Sequence, residues 1–392
     1  MISVEEAIET IKKNSISNEI NIEKKLEKAD GYLLAEDIYA PINLPPFRQS
    51  AMDGYGIHIH KEKEYTIIGE IKAGDKHNYQ LKKGEAIKIL TGAPVPEDVD
   101  TVIMQENTMV TNTTVEIKET IIPNKNIRPI GEQIKVGEIA LKKNTKINPA
   151  VVGFLYSLGI DTVKVIKKPS IGIISTGNEL IAPGLPLSYG EIYESNSKML
   201  LSALYNLKIY DVTIYKIKDN YEDTVSTIAN AIKEHDIVLI SGGISVGKYD
   251  FVYRALQDLE VNELFYKVNQ KPGKPLFYGK KNETQIFGLP GNPAAALICF
   301  YSYVYISLQS FFGKSETELK RVQAIALDSY KEKRERSVFL KAFYESGNVR
   351  VLESQNSSML QSFTTSNALI YLPSNRNEIK INDTVTVILL PF

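Results

Sequence analysis

Between Pro169 and Phe312 the chain alternates short apolar runs with longer amphipathic segments. Ile171 to Ser175, Asp211 to Ile217, Ile237 to Ile240 and Gln285 to Leu289 are compact and rich in β-branched residues, the pattern of strands buried on both faces. Ser195 to Asn206, Tyr221 to Glu234 and a segment beginning near Asp250 instead carry apolar residues at helical spacing. Pro290-Gly-Asn-Pro293 opens a further helix that runs to Phe312. Strands alternating with helices predict a doubly wound α/β sheet.

The pattern differs on either side. Val4, Ala7, Ile8 and Ile11 predict a helix capped by Ser3, a second helical piece is expected over Ile22 to Ala29, and Leu33 to Ile42 reads as extended. Prolines make Asn43 to Gly56 a rigid loop. Short alternating strands follow at Tyr65 to Ile71, Glu85 to Leu90, Thr101 to Met104 and Val115 to Ile122, with a stiff loop at Thr91 to Pro96. Asn148 to Leu158 is helical, with Pro149 in the first turn. After Glu318 the strands are again short: Val322 to Leu327, Val338 to Tyr344, Ala368 to Leu372 and Thr384 to Leu390. The expected fold is therefore α/β plus all-β. An N-terminal mixed α+β domain (1–43 and 132–168) carries an inserted β domain (44–131), followed by the α/β domain (169–316) and a C-terminal β-barrel (317–392).

Candidate chemistry collects at one edge of the predicted sheet. Ligands of such sheets sit beyond the carboxyl ends of the strands. The turns at Thr176 to Glu179, Asp219, Ser241 to Asp250 and Pro290 to Pro293 all fall there. Ser241-Gly-Gly243 can turn several N–H groups toward one anion. Asp250 at the following helix start is either an N-cap or a ligand for Mg²⁺ set against a phosphate. Lys271-Pro-Gly-Lys-Pro275 holds two cations in a stiff loop, a better anion candidate than ordinary surface lysines. Asp53 before Gly54 has the look of a turn residue, and Lys341 and Ser357-Ser358 on the barrel favour no anion role by residue type alone.

Composition narrows the classes. A net charge of -1 excludes a strong global pull toward nucleic acid or anionic lipid. The single cysteine, Cys299, lies in an apolar pattern and reads as a buried thiol. His58, His60, His77 and His235 lack companions at zinc spacing. The opening residues lack the pattern of a signal peptide, and the most apolar segment, Ala294 to Phe312, is interrupted by polar residues and reads as a core helix. A cytoplasmic protein with no membrane partner is expected.

Seven motifs then occur in a fixed order: Ser50-Ala-Met-Asp-Gly-Tyr-Gly56, Leu90-Thr-Gly-Ala-Pro94, Met104-Gln-Glu106, Ser175-Thr-Gly-Asn-Glu-Leu180, Ser241-Gly-Gly-Ile-Ser-Val-Gly247, Lys271-Pro-Gly-Lys-Pro275 and Leu289-Pro-Gly-Asn-Pro293. Together they resemble the MoeA family of molybdopterin molybdenumtransferases, and the E domain of gephyrin is similar. The resemblance spans essentially the whole chain. It implies an elongated homodimer that takes adenylylated molybdopterin and molybdate and yields molybdenum cofactor and AMP, working beside other cofactor-biosynthesis proteins. It implies that Glu179 is the pterin-site acid, that Lys271 and Lys274 bind molybdate, and that Asp250, with Asp219 as companion, holds Mg²⁺. It places Ser175, Thr176, Gly177, Ser241, Gly242, Gly243, Ser245, Gly247, Pro290, Gly291 and Asn292 on the ligands, with Lys341 and Ser357 contributed by the barrel. Asp53 and Thr91 would close the cleft from the second subunit.

The chain departs from the family pattern at Asn178 and Gln133, where Asp is usual, and at Arg48-Gln49, where Asp-Asn is usual. Ala295 replaces a serine and Lys341 an arginine, which loses a planar two-pronged donor. These differences keep one alternative in view, a non-catalytic molybdopterin-binding scaffold or specialised paralogue. A molybdopterin adenylyltransferase is a second, because proteins of that step share the α/β domain, although the three further domains argue against it.

Overall fold

The apolar runs of the α/β segment form one six-stranded sheet in the order Val212–Ile217, Ile171–Thr176, Ile237–Ser241, Thr284–Leu289, Phe277–Lys281, Asn262–Tyr266. The first four strands are parallel. The last two run antiparallel at one edge, where no strands were expected. Every residue of Ile171–Thr176, Ile237–Ser241 and Thr284–Leu289 is buried, which is what continuous apolar runs require of strands covered on both faces. Helices Tyr221–Glu234 and Phe251–Asp258 pack together over Ile174, Val238 and Ile286. Helices Asn196–Asn206 and Pro293–Cys299 form a second pair outside that cluster.

This computed structural model describes residues 1–16, 20–217, 220–244, 251–314, 316–333 and 335–392. They divide into two compact units, one of Met1–Ile20 with Lys167–Phe392, the other of Asn21–Ile166. In the first unit, Pro293–Cys299 continues through a π-helical turn, Phe300–Val304, into Tyr305–Phe311. This run is long and apolar enough to cross a membrane, but 89% of it is buried inside the protein, so it is a core helix. Cys299 is fully buried there, and burial pushes its thiol up to about 12, as an inert role requires.

The C-terminal strands close into a five-stranded barrel, because Ser337–Glu345 pairs with both Asn348–Val351 and Ala368–Leu372. Gln270–Lys271 adds to the same strand in parallel, at Ser337–Val338, and so ties the lysine loop to the barrel. The helix Val4–Asn14 forms with the expected cap at Ser3, which joins Glu6 in a capping box. It packs in this unit, not with 132–168. Ile2 N–H donates to the Lys267 carbonyl at 3.2 Å, Lys12 pairs with Glu318 at 2.8 Å, and Tyr371 donates to Glu5.

In the second unit, Asn21–Lys25 is a strand, not part of a helix, and only Leu26–Lys28 makes a helical turn. Its pairing with Thr162–Ile166 overrides the helix preference of its Glu and Lys residues. Leu33 to Ile42 contributes only the two-residue strand Ile38–Tyr39. Helix Pro149–Ser157 forms with Pro149 in its first turn as expected; Asn148 caps it, and Leu155 packs with Leu26, Leu34 and Val163. The inserted sheet has the order Thr101–Met104, Gly54–Ile57, Glu85–Ile89, Glu64–Ile71, Thr114–Ile117, Thr108–Thr111. Gly54–Ile57, whose first three residues were expected as loop, is thus an interior strand.

Candidate active site

The parallel strands end level. Ser175, Ser241 and Leu289 are neighbours in a single cross-strand row, so the turns that follow them leave the sheet together. They enclose a cleft of about 990 Å³. Ser175, Thr176, Gly177 and Glu179 line it from the first turn, Ser241, Gly242 and Gly243 from the second, and Pro290, Gly291 and Asn292 from the third. The lysine loop, which connects the two antiparallel edge strands, brings in Lys271 and Lys274. A barrel loop supplies Gln355, Asn356, Ser357 and Ser358.

Backbone geometry explains the glycines that matter most. Gly242 has φ +92°, and a Cβ there would lie 2.9 Å from the Thr176 carbonyl oxygen. The second turn can therefore press against the first only without a side chain. Gly273 has φ +84°, and a Cβ would lie 2.5 Å from Cys299 Sγ. Replacing Gly273 with alanine combines left-handed strain with overpacking and is expected to cost about 2–4 kcal/mol in urea unfolding. Wild-type stability in Gly273→Ala would disprove the close packing of this loop.

Asn196 was not anticipated. Its Nδ2 donates to Ser241 Oγ at 2.8 Å and to the Gly291 carbonyl at 2.7 Å, stitching two turns together. Ser241 therefore accepts from Asn196 and keeps its own O–H to donate. Ser195, expected to start the following helix, makes no side-chain cap bond. Glu194 does that work, accepting from the Ser197 N–H at 2.8 Å and hydroxyl at 2.6 Å. A lone Asn in the first turn of a helix gives no sequence signal of such a bridge.

The charges at the cleft are unequal in their commitments. Lys274 is exposed and makes no ion pair among the described residues. Lys271 Nζ lies 2.9 Å from Glu332, a nearly buried barrel carboxylate. Burial alone would raise the pKa of Glu332, but donors from Lys271, Tyr330 and the Lys333 backbone outweigh it and hold the group at about 2. Arg336 also lines the cleft and pairs with Glu332 at 3.3 Å. Both residues lie in a run of charges, Lys331 to Arg336, that reads as solvated surface.

Lys341 is placed differently from the expectation that it meets an anion. It is 1% exposed and does not line the cleft. Its Nζ donates to the carbonyls of Ser354 at 2.6 Å, Met359 at 2.8 Å and Asn356 at 3.4 Å. Burial pushes its pKa down, while the three carbonyls favour the charged form. It holds the loop that presents Ser357, whose carbonyl accepts from Ala295 N–H at 3.2 Å and whose hydroxyl accepts from Asn292 at 2.9 Å. Ala295 itself sits buried at the cleft without the hydroxyl of the usual serine.

Asp53 and Thr91 belong to the second unit. Asp53 Oδ1 accepts from the Thr91 hydroxyl at 2.7 Å and backbone N–H at 2.6 Å, which together hold its carboxyl below the ordinary range. Arg48, where the family has Asp, donates to the carbonyls of Pro96, Glu97 and Val99 and fastens that stretch. Asn178 is exposed on the first turn of the cleft edge, and Gln133 is exposed in the second unit. Asp219, Asp250, Ser245 and Gly247 lie outside the described residues. Among the described residues no three His, Cys, Asp or Glu side chains converge on a metal position. Mg²⁺ needs fewer, since it takes one or two carboxylates and keeps water and phosphate oxygens for the rest.

Four parallel strands with glycine turns, cations and hydroxyls gathered at their carboxyl ends define an α/β protein whose cleft has the donors of an anion site. Three family models match in chain order: the MoeA N-terminal region over residues 2–159, the family described as "Probable molybdopterin binding domain" over 172–310, and the MoeA C-terminal region over 323–390. The chain belongs to the MoeA family of molybdopterin molybdenumtransferases. It is 35% identical to the molybdopterin molybdenumtransferase of Haemophilus influenzae, covering 92% of each chain. It is 32% identical to that of Staphylococcus epidermidis over 99% of this chain and 95% of the relative. The crystal structure of the molybdopterin biosynthesis MoeA protein from Pyrococcus horikoshii OT3 superposes with a TM-score of 0.81 at 31% identity, covering 99% of this chain and all of the other.

Proposed function

We propose that the protein transfers molybdenum from molybdate to adenylylated molybdopterin and releases AMP. The observation that carries this reading is the shared cleft: Glu179, the Ser241–Gly243 turn and the Lys271–Lys274 loop face one cavity at the level ends of three parallel strands. Molybdate is a tetrahedral dianion and requires cations together with N–H or hydroxyl donors. Lys271 and Lys274 supply the charge, while Ser241 and Ser357 offer hydroxyls. Glu179, an exposed carboxylate, accepts from the donor edge of the pterin. The turns after Ser175, Ser241 and Leu289 direct backbone donors at the phosphates. Asp250 and Asp219 would hold Mg²⁺, and bound Mg²⁺ supplies neutralising charge at the phosphoric anhydride. Asp53 and Thr91 of a second copy would complete the cleft in a homodimer and exclude water.

The test is direct. Purified protein with adenylylated molybdopterin, Mg²⁺ and molybdate should release AMP and yield cofactor able to activate an apo-molybdoenzyme. Tight pterin binding without turnover would instead support the scaffold reading.

A further inference from the structure

The barrel contributes a carboxylate that no motif pointed to. Glu332 is 4% exposed. Its Oε2 accepts from Lys271 Nζ at 2.9 Å and the Tyr330 hydroxyl at 3.0 Å. Its Oε1 accepts from the Lys333 N–H at 2.9 Å and an Arg336 terminal nitrogen at 3.3 Å. Four donors surround the two oxygens, so the carboxylate is a fixed charge. The two cations it holds, Lys271 and Arg336, both line the cleft. Each keeps donor capacity: an ammonium has three N–H bonds, and Arg336 Nε is buried without a hydrogen-bond partner among the described residues.

We propose that Glu332 sets the affinity of the cleft for tetrahedral oxyanions: it holds Lys271 and Arg336 in place and, as a fixed negative charge behind them, weakens their pull on any entering anion. A buried carboxylate close to both cations offsets part of the field that an incoming dianion would feel. Binding then depends more on N–H and hydroxyl donors, whose directions distinguish ligands, than on net charge, which does not. Sulfate, phosphate and molybdate, similar in shape and charge, are all held back by such an arrangement. The residue is thus an affinity determinant acting through its neighbours, and the assignment rests on reading the cleft as an oxyanion site.

The experiment is calorimetric titration of the full-length protein with sodium sulfate, phosphate and molybdate at fixed low ionic strength. Glu332→Gln should tighten all three by about threefold to tenfold, the effect of one partly screened unit charge. The gain should shrink when Lys271→Met is also present, because the carboxylate acts through that ammonium. Glu332→Asp, which draws the charge back from Lys271, should give a smaller gain of the same sign and carries the test if the glutamine variant does not fold. Unchanged or weaker binding, or an equal gain without Lys271, overturns the assignment of Glu332. Wild-type protein that binds none of the three anions defeats the oxyanion reading of the cleft itself.

Discussion

Replacing Lys274 with alanine raises the molybdate concentration needed for half-maximal AMP release by about 30-fold, while Lys271→Ala raises it only about threefold. The two lysines are equivalent in the sequence and unequal in the fold. Lys274 is exposed at the cleft and has no ion-pair partner among the described residues, so its whole charge is available to an anion. Lys271 already shares its charge with Glu332 at 2.9 Å. A partly screened charge against a dianion is worth about 2 kcal/mol, hence the 30-fold, and prior neutralisation removes most of that. Initial rates of AMP release against molybdate concentration decide the ranking. Equal effects, or the larger effect at Lys271, would mean that the ion pair to Glu332 does not persist when the oxyanion is bound.

The second large effect is on stability. Lys341→Met keeps the buried stem and removes the ammonium, leaving the carbonyls of Ser354, Asn356 and Met359 without that donor. A hydrogen bond from a charged donor is worth about 1.5–3 kcal/mol, and the Ser362 hydroxyl, which also donates to the Ser354 and Met359 carbonyls, recovers part of the loss, so about 3 kcal/mol is expected in urea unfolding. The loosened loop also carries Ser357, so the molybdate requirement should rise alongside. If Lys341 instead met the oxyanion directly, the variant would keep wild-type stability and lose only oxyanion affinity. The pair of measurements separates the two accounts.

Much of the α/β unit was legible because its buried strands leave a plain mark. Ile237 to Ile240 is apolar from end to end, the pattern of a strand covered on both faces. The cleft edge was legible for a related reason: the turns at strand ends are short, polar and rich in glycine. Gly54–Ile57 was hidden because its glycines resemble turn punctuation. A Cβ at Gly54 would lie 1.9 Å from the Ile103 carbonyl oxygen, so here glycine marks a close strand neighbour. Asn21–Lys25 was hidden because its partner strand, Thr162–Ile166, is remote in sequence. Asn196, Glu332 and Arg336 could not be found by residue type, since each acts through contacts that only the folded chain brings about. Lys341 shows the converse: its alignment with a family arginine suggested an anion contact, and its burial gives it a different task.

The opening helix, Val4–Asn14, is held by partners far along the chain, Lys267 for Ile2, Glu318 for Lys12, and Tyr371, 366 residues beyond Glu5. Asn21–Ile166, by contrast, is continuous. During translation the continuous unit can fold as it leaves the ribosome, whereas Val4–Asn14 must wait for partners some hundreds of residues downstream. Helix Val4–Asn14 is therefore made before its partners and docks only after the continuous unit is complete.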